Sequence, residues 1–483
     1  MNNLEGPQVD FPYLVACMKP RTATDFAAVL ARFDAFPGHV DDVLALMDEG
    51  IRQSRVFARV CVAAVPAQID GLLGEAAATP FFKHFAGAME GVEAGARERL
   101  RADAVAKIEA RVQPAFRKLK AYLEEVYLPA CRTTADGIAC ADLPDGKAHY
   151  EQCLRFHTST ALTAEEIHTM GLAEVERIRG EMERVKDECA FDGDLKAFIA
   201  DLRASADFRA GSEEELLQKY RDRLAFVVEN LPSLFSAAPE LPLTIMPTPA
   251  HQAPSAPAAY YLSQGKGNPG LFYVNTYRIA ERPTYQIDTL LLHEAIPGHH
   301  MQAAYACRME ETGRLPSFRA NIEDRRYNWA PSRRPFYSAY VEGWALYCEG
   351  LGKELGLYDD PVLYFGKLSF EATRAVRLVV DTGIHALGWS RDKAVDFMFA
   401  NTALSRHEVE TEITRYIGWP AQAVSYKVGE LHIRGLREKL EARFGSAPRD
   451  EYVAKLKEFH DIVLRGGNVP LTFLTEEVEK LCA

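Results

Sequence analysis

The sequence has several absences, and each one excludes a class of protein. Its lysines and arginines form no basic block, and a net charge of -12 argues against a nucleic-acid or anionic-membrane partner. No apolar run approaches the roughly 20 residues of a membrane span. The chain contains no Gly-x-Ser-x-Gly elbow, so a serine hydrolase is poorly supported.

Cysteine usage points to a reducing compartment. The nine cysteines are scattered and form no Cys-x-x-Cys pair, which indicates free thiols rather than a disulfide framework or a cysteine-zinc site. Residues 1–7 lack the basic patch and apolar stretch of a signal peptide. We therefore expect a soluble cytoplasmic protein, with a longer native N-terminus and the oligomeric state left open.

Helical periodicity, by contrast, covers most of the 483 residues. Apolar residues recur at helical spacing from residue 26 to 33, and Phe36-Pro37-Gly38 should end that helix. A second helix should stop at Gly50. The segment Thr163-Ala164-Glu165-Glu166 fits a capping box, which predicts a long charged helix after it. Residues 1–235 contain no cluster of candidate catalytic or metal-binding residues and are predicted to form a helical wall or lid.

The composition changes near Pro232, where prolines, glycines and β-branched or aromatic residues replace the helical pattern. Short strands are predicted at 241–247, 260–262 and 270–277. After Pro283 the helical pattern returns. We expect a mainly α (α+β) protein with a small mixed sheet and a deep cleft. Residues 236–483 would form the catalytic region, interwoven with residues 1–235 as one unit.

The most informative segment is His293-Glu294-Ala295-Ile296-Pro297-Gly298-His299-His300. Imidazoles are common zinc ligands, and a carboxylate beside the first histidine is where a metallopeptidase keeps its general base. The usual His-Glu-x-x-His motif would need a histidine at position 297, where this chain has proline. Histidine clusters also arise at capped helix ends, so metal binding is one of two interpretations of the segment.

Helix geometry decides which histidines can share an ion. His293 and His299 lie about 240° apart on an ideal helix, so they converge only if the helix is bulged or reset between them. Pro297 cannot donate to the carbonyl of His293, and Gly298 adds backbone freedom. His300 shares the face of His293 but lies about 10.5 Å along the axis. We therefore favour His293 and His299, with His300 as the substitute.

A third ligand is predicted at Glu342, in the apolar and aromatic helical run 338–347. An ionised carboxylate there is costly to bury without a cationic partner. A metal ion is one such partner, and a nearby arginine is the other. Glu349, two turns later, would be either solvated or a support for a ligand.

These two segments resemble the bacterial family called domain of unknown function 885. Further similar stretches are 162–172, 381–385 and 420–429, so the resemblance covers most of the chain. That family is generally placed with the zincin-like peptidases, whose helical members include thimet oligopeptidase-like and dipeptidyl-peptidase-like enzymes. Their pattern of His-Glu, a spacer and Gly-His implies that Gly298-His299 is the second half of the motif, which favours His299 over His300.

The chemistry implied is a zinc ion held by His293, His299 and Glu342, with Glu294 as the general base. The developing oxyanion needs a further donor. Tyr426 is the first candidate for this role and Tyr416 the second, although either one could be an ordinary core tyrosine. His385, four residues after Asp381, would orient a ligand or form a structural pair with it.

Several residues are also predicted to contact the substrate. Tyr273 and Asn275 lie on a strand that would form the edge of the sheet and pair with an extended peptide. Arg374 and Arg415 are further candidates for substrate binding. Six arginines would either hold a peptide's C-terminal carboxylate or form surface salt bridges; they are Arg314, Arg319, Arg325, Arg326, Arg333 and Arg334.

The first functional hypothesis is zinc-dependent hydrolysis of short peptides. The alternatives are a catalytically silent protein that binds a peptide or metabolite, and a metal-dependent amidase that acts on a non-peptide substrate. Glu294 argues against the silent protein, because a binder needs no base beside a metal. Sequence preference and the choice between exopeptidase and endopeptidase action stay open.

Overall fold

The structure, a computed structural model, describes residues 1–135, 137–238, 240–249, 253, 256–263, 269–320 and 337–483. It contains two compact units. The first consists of Met1–Lys147 and Glu410–Gly418, and the second of Ala148–Val409 and Trp419–Ala483. This division does not follow the predicted boundary at residue 235, because the helices between 148 and 235 pack against later helices of the second unit.

The first unit is helical. Two π-helical segments, Ile108–Val112 and Leu123–Tyr127, connect its later helices. Its helices up to residue 130 are α1 (Pro7–Cys17), α2 (Ala23–Arg52), α3 (Val65–Asp70), α4 (Lys83–Ala86), α5 (Ala94–Lys107), α6 (Gln113–Tyr122) and α7 (Leu128–Ala130).

The predicted break at Phe36-Pro37-Gly38 is wrong, because α2 continues through Pro37 to Arg52. Phe36 is fully buried, and its ring stacks on Phe11 with centroids 3.9 Å apart and lies 4.7 Å from that of Phe116. Apolar packing of this kind stabilises a helix by more than the single backbone hydrogen bond that an internal proline removes.

Fourteen helices follow in the described chain after residue 145. All belong to the second unit except the first two residues of α8 and the part of α18 from Glu410 onwards. They are α8 (Gly146–Thr158), α9 (Ala164–Glu188), α10 (Leu195–Ala204), α11 (Glu213–Asn230), α12 (Ile287–Glu294), α13 (His299–Glu311), α14 (Ser317–Ala320), α15 (Ser338–Leu351), α16 (Pro361–His385), α17 (Arg391–Asn401), α18 (Arg406–Gly418), α19 (Ser425–Phe444), α20 (Arg449–Arg465) and α21 (Leu471–Cys482).

The capping box predicted for α9 is confirmed. The Thr163 hydroxyl accepts a hydrogen bond from the Glu166 backbone N–H at 3.2 Å, and the Glu166 carboxylate accepts one from the Thr163 backbone N–H at 2.8 Å. These bonds satisfy backbone donors that the first turn of a helix otherwise leaves unpaired. The long helix that begins here packs along α16 and forms one wall of the second unit.

The second unit holds one small mixed sheet in the described residues, as expected. Its strands are β1 (Leu243–Pro247), β2 (Ala259–Leu262) and β3 (Gly270–Val274). Their order is β1-β3-β2, with β1 parallel and β2 antiparallel to β3. The prediction that the strand at 270–277 is an edge strand is therefore wrong, since β3 is hydrogen-bonded on both sides. The edge strand that lies beside α12 is β2.

Two glycines allow the helices α15 and α19 to approach closely. A Cβ atom on Gly343 would lie 2.5 Å from the Gly429 backbone, and one on Gly429 would lie 1.9 Å from the Ala339 carbonyl oxygen. Only glycine fits at such a crossing. The contact fixes the helix that carries Glu342 against the helix that carries Tyr426. None of the helices in the described ranges is long and apolar enough to span a bilayer.

Candidate metal centre

The motif segment forms two helices with a sharp connection, rather than one bulged helix. α12 ends at Glu294 and α13 begins at His299. Ala295 and Gly298 have ψ angles of -107° and -134°, well outside the helical range. A Cβ atom on residue 298 would lie 1.9 Å from the carbonyl oxygen of His293, so the connection requires glycine there. The break turns the chain so that His299 faces His293.

The break brings His293 and His299 together with Glu342. The Nε2 atom of each histidine lies 3.6 Å from Oε2 of Glu342, and a set of ligand atoms, one from each residue, lies within 4.8 Å of one another. Two imidazoles and one carboxylate are a donor set that zinc enzymes use while keeping an open coordination position. No other group of three such residues was found within the described ranges.

His300 points away from this group. Its Nε2 donates to the carbonyl oxygen of Leu241 at 2.9 Å, and its Nδ1 lies 3.2 Å from the hydroxyl of Tyr261. Burial lowers the pKa of His300 to about 4, so the ring is neutral at physiological pH. His299 therefore belongs to the cluster, and His300, the substitute candidate, does not.

Glu349 supports His293 from behind. The Nδ1–H of His293 donates to Oε1 of Glu349 at 2.8 Å, and Nη2 of Arg374 lies 3.4 Å from the same oxygen. Glu349 is fully buried, so the solvated alternative is wrong. A carboxylate on the far nitrogen of a metal-binding histidine fixes the ring and directs Nε2 towards the ion.

The electrostatics of the cluster call for positive charge. Burial by itself lowers the pKa of His293, but hydrogen bonds to Glu342 and Glu349 outweigh this effect and raise the pKa to about 9. Burial by itself raises the pKa of Glu342. His293 and His299 outweigh this effect and hold the pKa of Glu342 well below its usual range. Either an imidazolium or a divalent cation supplies the charge that these carboxylates need, and the donor set fits a divalent cation.

Glu294 lines the same cleft as the three candidate ligands but is not one of them. Its Oε2 accepts a hydrogen bond from the backbone N–H of Tyr261, on β2, at 3.0 Å. Glu294 and the three ligands open on one cleft of about 350 Å³. The cleft is lined by Pro257, Ala258, Ala259, Tyr260, Tyr261, Leu262, Leu290, His293, Glu294, His299, Val341, Glu342, Phe370, Arg374, Arg377 and Tyr426.

Two further predicted site residues line this cleft. Tyr426 stands in the first turn of α19, and the guanidinium carbon of Arg377 lies 4.6 Å from the centre of its ring. Arg374 reaches the cleft from α16. Tyr416 and Arg415 belong to the first unit, where the Tyr416 hydroxyl donates to Glu412 at 2.5 Å and Arg415 pairs with the same carboxylate at 2.9 Å.

Three predicted site residues of the second unit are absent from the cleft lining described here. Tyr273 stacks on Tyr260 across β3 and β2, with ring centroids 4.9 Å apart. Asn275 is buried, and its side-chain amide donates to the carbonyl oxygens of Ala253 and Ala256. His385 is buried with its ring centroid 5.2 Å from that of Tyr150. Asn275 thus holds the chain that leads into β2.

The arginine-rich stretch is described only in part. Arg325, Arg326, Arg333 and Arg334 lie outside the described residues. Arg319 donates to the carbonyl oxygen of Gly466 at 2.5 Å, and its guanidinium carbon lies 5.3 Å from the ring centroid of Phe473. These contacts join Arg319 to Gly466, just after α20, and to Phe473 of α21.

The sequence did not single out a buried charge cluster next to Tyr426. Lys427 is fully buried, and its Nζ lies 2.8 Å from Glu371, 2.8 Å from Glu430 and 3.0 Å from Glu174. Burial opposes ionisation, but these carboxylates raise the pKa of Lys427 above its usual value. Arg177 on α9 also pairs with Glu371 and Glu174. The cluster ties α9 and α16 to the start of α19.

Comparison with known protein families matches residues 1–478 to the family described as "Bacterial protein of unknown function (DUF885)". The chain belongs to this family. The resemblance drawn from the segments around His293 and Glu342 is therefore confirmed at the level of the family. None of the curated proteins compared matches the chain.

Two solved structures are similar to the chain over most of its length. The first, described as a "putative lipoprotein" from Colwellia psychrerythraea, has 29% sequence identity and a TM-score of 0.89, over 100% of this chain and 80% of that one. The second, a "putative lipoprotein of unknown function" from Shewanella oneidensis, has 19% identity and a TM-score of 0.67, over 94% and 78% of the two chains. At 19% identity, the similarity to the Shewanella oneidensis structure shows that the two chains share a fold.

Proposed function

We propose that this protein is a zinc-dependent peptidase that hydrolyses peptide bonds in short peptides. The observation that carries the proposal is the convergence of His293, His299 and Glu342 in one cleft with Glu294, a carboxylate outside the ligand set. A binding protein has no need for a base beside its metal, whereas a hydrolase requires one.

The three converging side chains would hold the ion, with Glu349 fixing the ring of His293. When bound, zinc would polarise the scissile carbonyl and lower the pKa of a water molecule towards about 7. The zincin-like fold is part of the same proposal. It is supported by a broken His-Glu helix, a third ligand on a later helix and a small sheet beside them.

Glu294 would act as the general base and then as the general acid. Its carboxylate would accept a proton from the attacking water and later pass it to the nitrogen of the leaving amine, so that one proton moves from water to product. The hydrogen bond from the Tyr261 N–H holds Oε2 in place and leaves Oε1 for this transfer. Tyr426 lines the same cleft, and its hydroxyl would donate to the oxyanion.

The substrate backbone would lie along β2. Residues 257–262 line the cleft, and in the described part of the sheet β2 has a strand partner, β3, on one side. An extended peptide can add to such an edge through main-chain hydrogen bonds. β2 would take the role that the sequence had suggested for the strand carrying Tyr273 and Asn275.

Location is a separate proposal. The nine cysteines are all free, which favours the cytoplasm. Both similar solved structures are described as lipoproteins, a name that favours the cell envelope for those proteins. The cytoplasmic location stays a prediction.

Peptide cleavage by the purified full chain tests the proposal. Incubation with a mixture of short peptides, followed by mass spectrometry, should give fragments that arise from cleavage of peptide bonds. A zinc chelator should stop cleavage, and added zinc should restore it. Cleavage that continues in the chelator would contradict the role of zinc. A zinc-loaded chain that leaves every peptide intact would contradict the peptidase and leave the silent binder or the non-peptide amidase.

A further inference from the structure

The cleft side of β2 carries a main-chain donor and a main-chain acceptor at Ala259. The carbonyl oxygen of Ala258 accepts a hydrogen bond from the backbone N–H of Asn275, the residue after β3, at 2.9 Å. In an antiparallel pair, the main-chain groups of successive residues point to opposite sides of the strand. The N–H and C=O of Ala259 therefore point away from β3, as does the N–H of Tyr261, which donates to Glu294.

Ala259 is buried at this position. It lines the cleft, and 5% of its surface is exposed. Within the described ranges, no residue is hydrogen-bonded to its N–H or C=O on the cleft side. Buried main-chain groups are almost always hydrogen-bonded, to protein, water or a ligand. The two groups therefore indicate a position at which an extended chain binds.

The neighbours of Ala259 determine which residue of β2 can pair with a peptide. Tyr261, two residues later, already donates its N–H to Glu294, and Pro257, two residues earlier, has no N–H. Among these three residues, Ala259 alone offers both an N–H and a C=O to a peptide. One peptide residue makes both of these hydrogen bonds only if the peptide runs antiparallel to β2.

The position of Glu294 then orients the peptide. β2 runs from Ala259 towards Tyr261, so an antiparallel peptide runs from the Tyr261 side to the Ala259 side. Because the candidate base is bonded to Tyr261, the peptide residue opposite Ala259 lies on the amine side of the scissile bond. That residue needs its own N–H, which proline lacks, and its own carbonyl group, which a simple amide lacks.

We propose that the main-chain N–H and C=O of Ala259 bind an extended peptide residue on the amine side of the scissile bond. This inference rests on the proposed peptidase function and narrows its substrate class to α-peptides in which this residue is not proline. The two hydrogen bonds hold the leaving amine beside Glu294, which would give it a proton. They involve main-chain atoms alone, so this contact accepts side chains of different kinds.

Binding measured without turnover tests this pairing. The parent for the test is the full chain with Glu294→Gln, loaded with zinc. It is titrated calorimetrically with trialanine, with the two singly N-methylated forms of trialanine and with the doubly N-methylated form. The doubly methylated peptide should bind about tenfold or more weakly than trialanine, because the buried carbonyl group of Ala259 loses its donor. Methylation of the one amide that faces Ala259 should account for most of this loss.

Two variants at position 259 separate the main chain from the side chain. Ala259→Pro removes the N–H, and proline is tolerated at the first residue of an edge strand. In the parent chain, this change should weaken the binding of trialanine about tenfold and reduce the discrimination against N-methylation, at an unchanged zinc content. Ala259→Ser keeps the N–H and is the control. It should bind trialanine within about twofold of the parent and discriminate as the parent does.

The possible outcomes separate the pairing from the peptidase function. Equal binding of methylated and unmethylated trialanine by the parent would overturn the pairing, and so would an Ala259→Pro chain that binds and discriminates like the parent. If Ala259→Pro does not fold, the four peptides on the parent chain decide the question. With Glu294 restored, a chain that discriminates but cleaves no peptide would keep this binding position and lose the peptidase function. A chain that cleaves peptides without discriminating would do the reverse.

Discussion

Glu294→Gln is expected to lower kcat for peptide cleavage by about 100-fold to 10,000-fold, the usual contribution of a general base. Glutamine keeps the size of the side chain, and its oxygen can still accept the hydrogen bond from Tyr261. It cannot accept a proton from water. Because Glu294 is outside the three-residue ligand group, the zinc content should stay at the wild-type value.

The measurement compares kcat at equal zinc occupancy in wild type, Glu294→Gln and a control variant. Glu281→Gln is the control, since Glu281 is an exposed carboxylate paired with Arg278 on the surface. It should have wild-type kcat. A Glu294→Gln chain that folds, holds zinc and cleaves peptides at the wild-type rate would exclude Glu294 as the base.

Lys427→Met is expected to reduce the free energy of unfolding by about 3–5 kcal/mol, the usual cost of removing one partner from a buried ion cluster. The variant leaves Glu371, Glu174 and Glu430 facing a methyl group where the ammonium group had been. Arg177 still pairs with two of these carboxylates, but a buried carboxylate without its full set of cations is strongly destabilising.

Urea unfolding of wild type, Lys427→Met and Lys439→Met measures this cost. Lys439 lies on the same helix and pairs with Glu479 at the surface, so its loss should change the free energy of unfolding by less than about 1 kcal/mol. Failure of Lys427→Met to fold agrees with the prediction. A loss no larger than that of Lys439→Met would show that the cluster contributes little to stability.

Local signals in the sequence predicted much of the fold. The capping box at Thr163 and the three short strands depend on residues that are neighbours in the chain, and the structure has them within a few positions. The prediction that the helix ends at Pro37 was wrong, because the packing of Phe36 stabilises the helix by more than one lost hydrogen bond destabilises it. The prediction that β3 is an edge strand was wrong, because β3 also pairs with β1, which is distant in sequence, and local patterns do not show such pairing.

The candidate site was likewise predictable only where its residues are close in sequence or stand out in their local context. His293, Glu294 and His299 are close in the chain, and Glu342 was recognisable as a carboxylate in an apolar helix. The sequence favoured His299 over His300 because Pro297 and Gly298 could interrupt the helix, and the backbone turn at Gly298 brings His299 to His293. Helix periodicity alone does not give the geometry of that turn. Arg377 and Lys427 carry no clear local signal, because Tyr426 beside Arg377, and Glu371 and Glu174 beside Lys427, lie on other helices.

Zinc content tests the metal site most directly. Purified full chain and its Glu342→Ala variant are equilibrated in the same zinc buffer, freed of unbound metal and analysed for zinc per folded chain. Wild type should hold about one zinc ion, and Glu342→Ala should lose most of it, since two imidazoles alone bind zinc weakly compared with a three-ligand protein site. A folded wild-type chain without zinc, or a Glu342→Ala chain that retains the full content, would contradict the proposed metal centre.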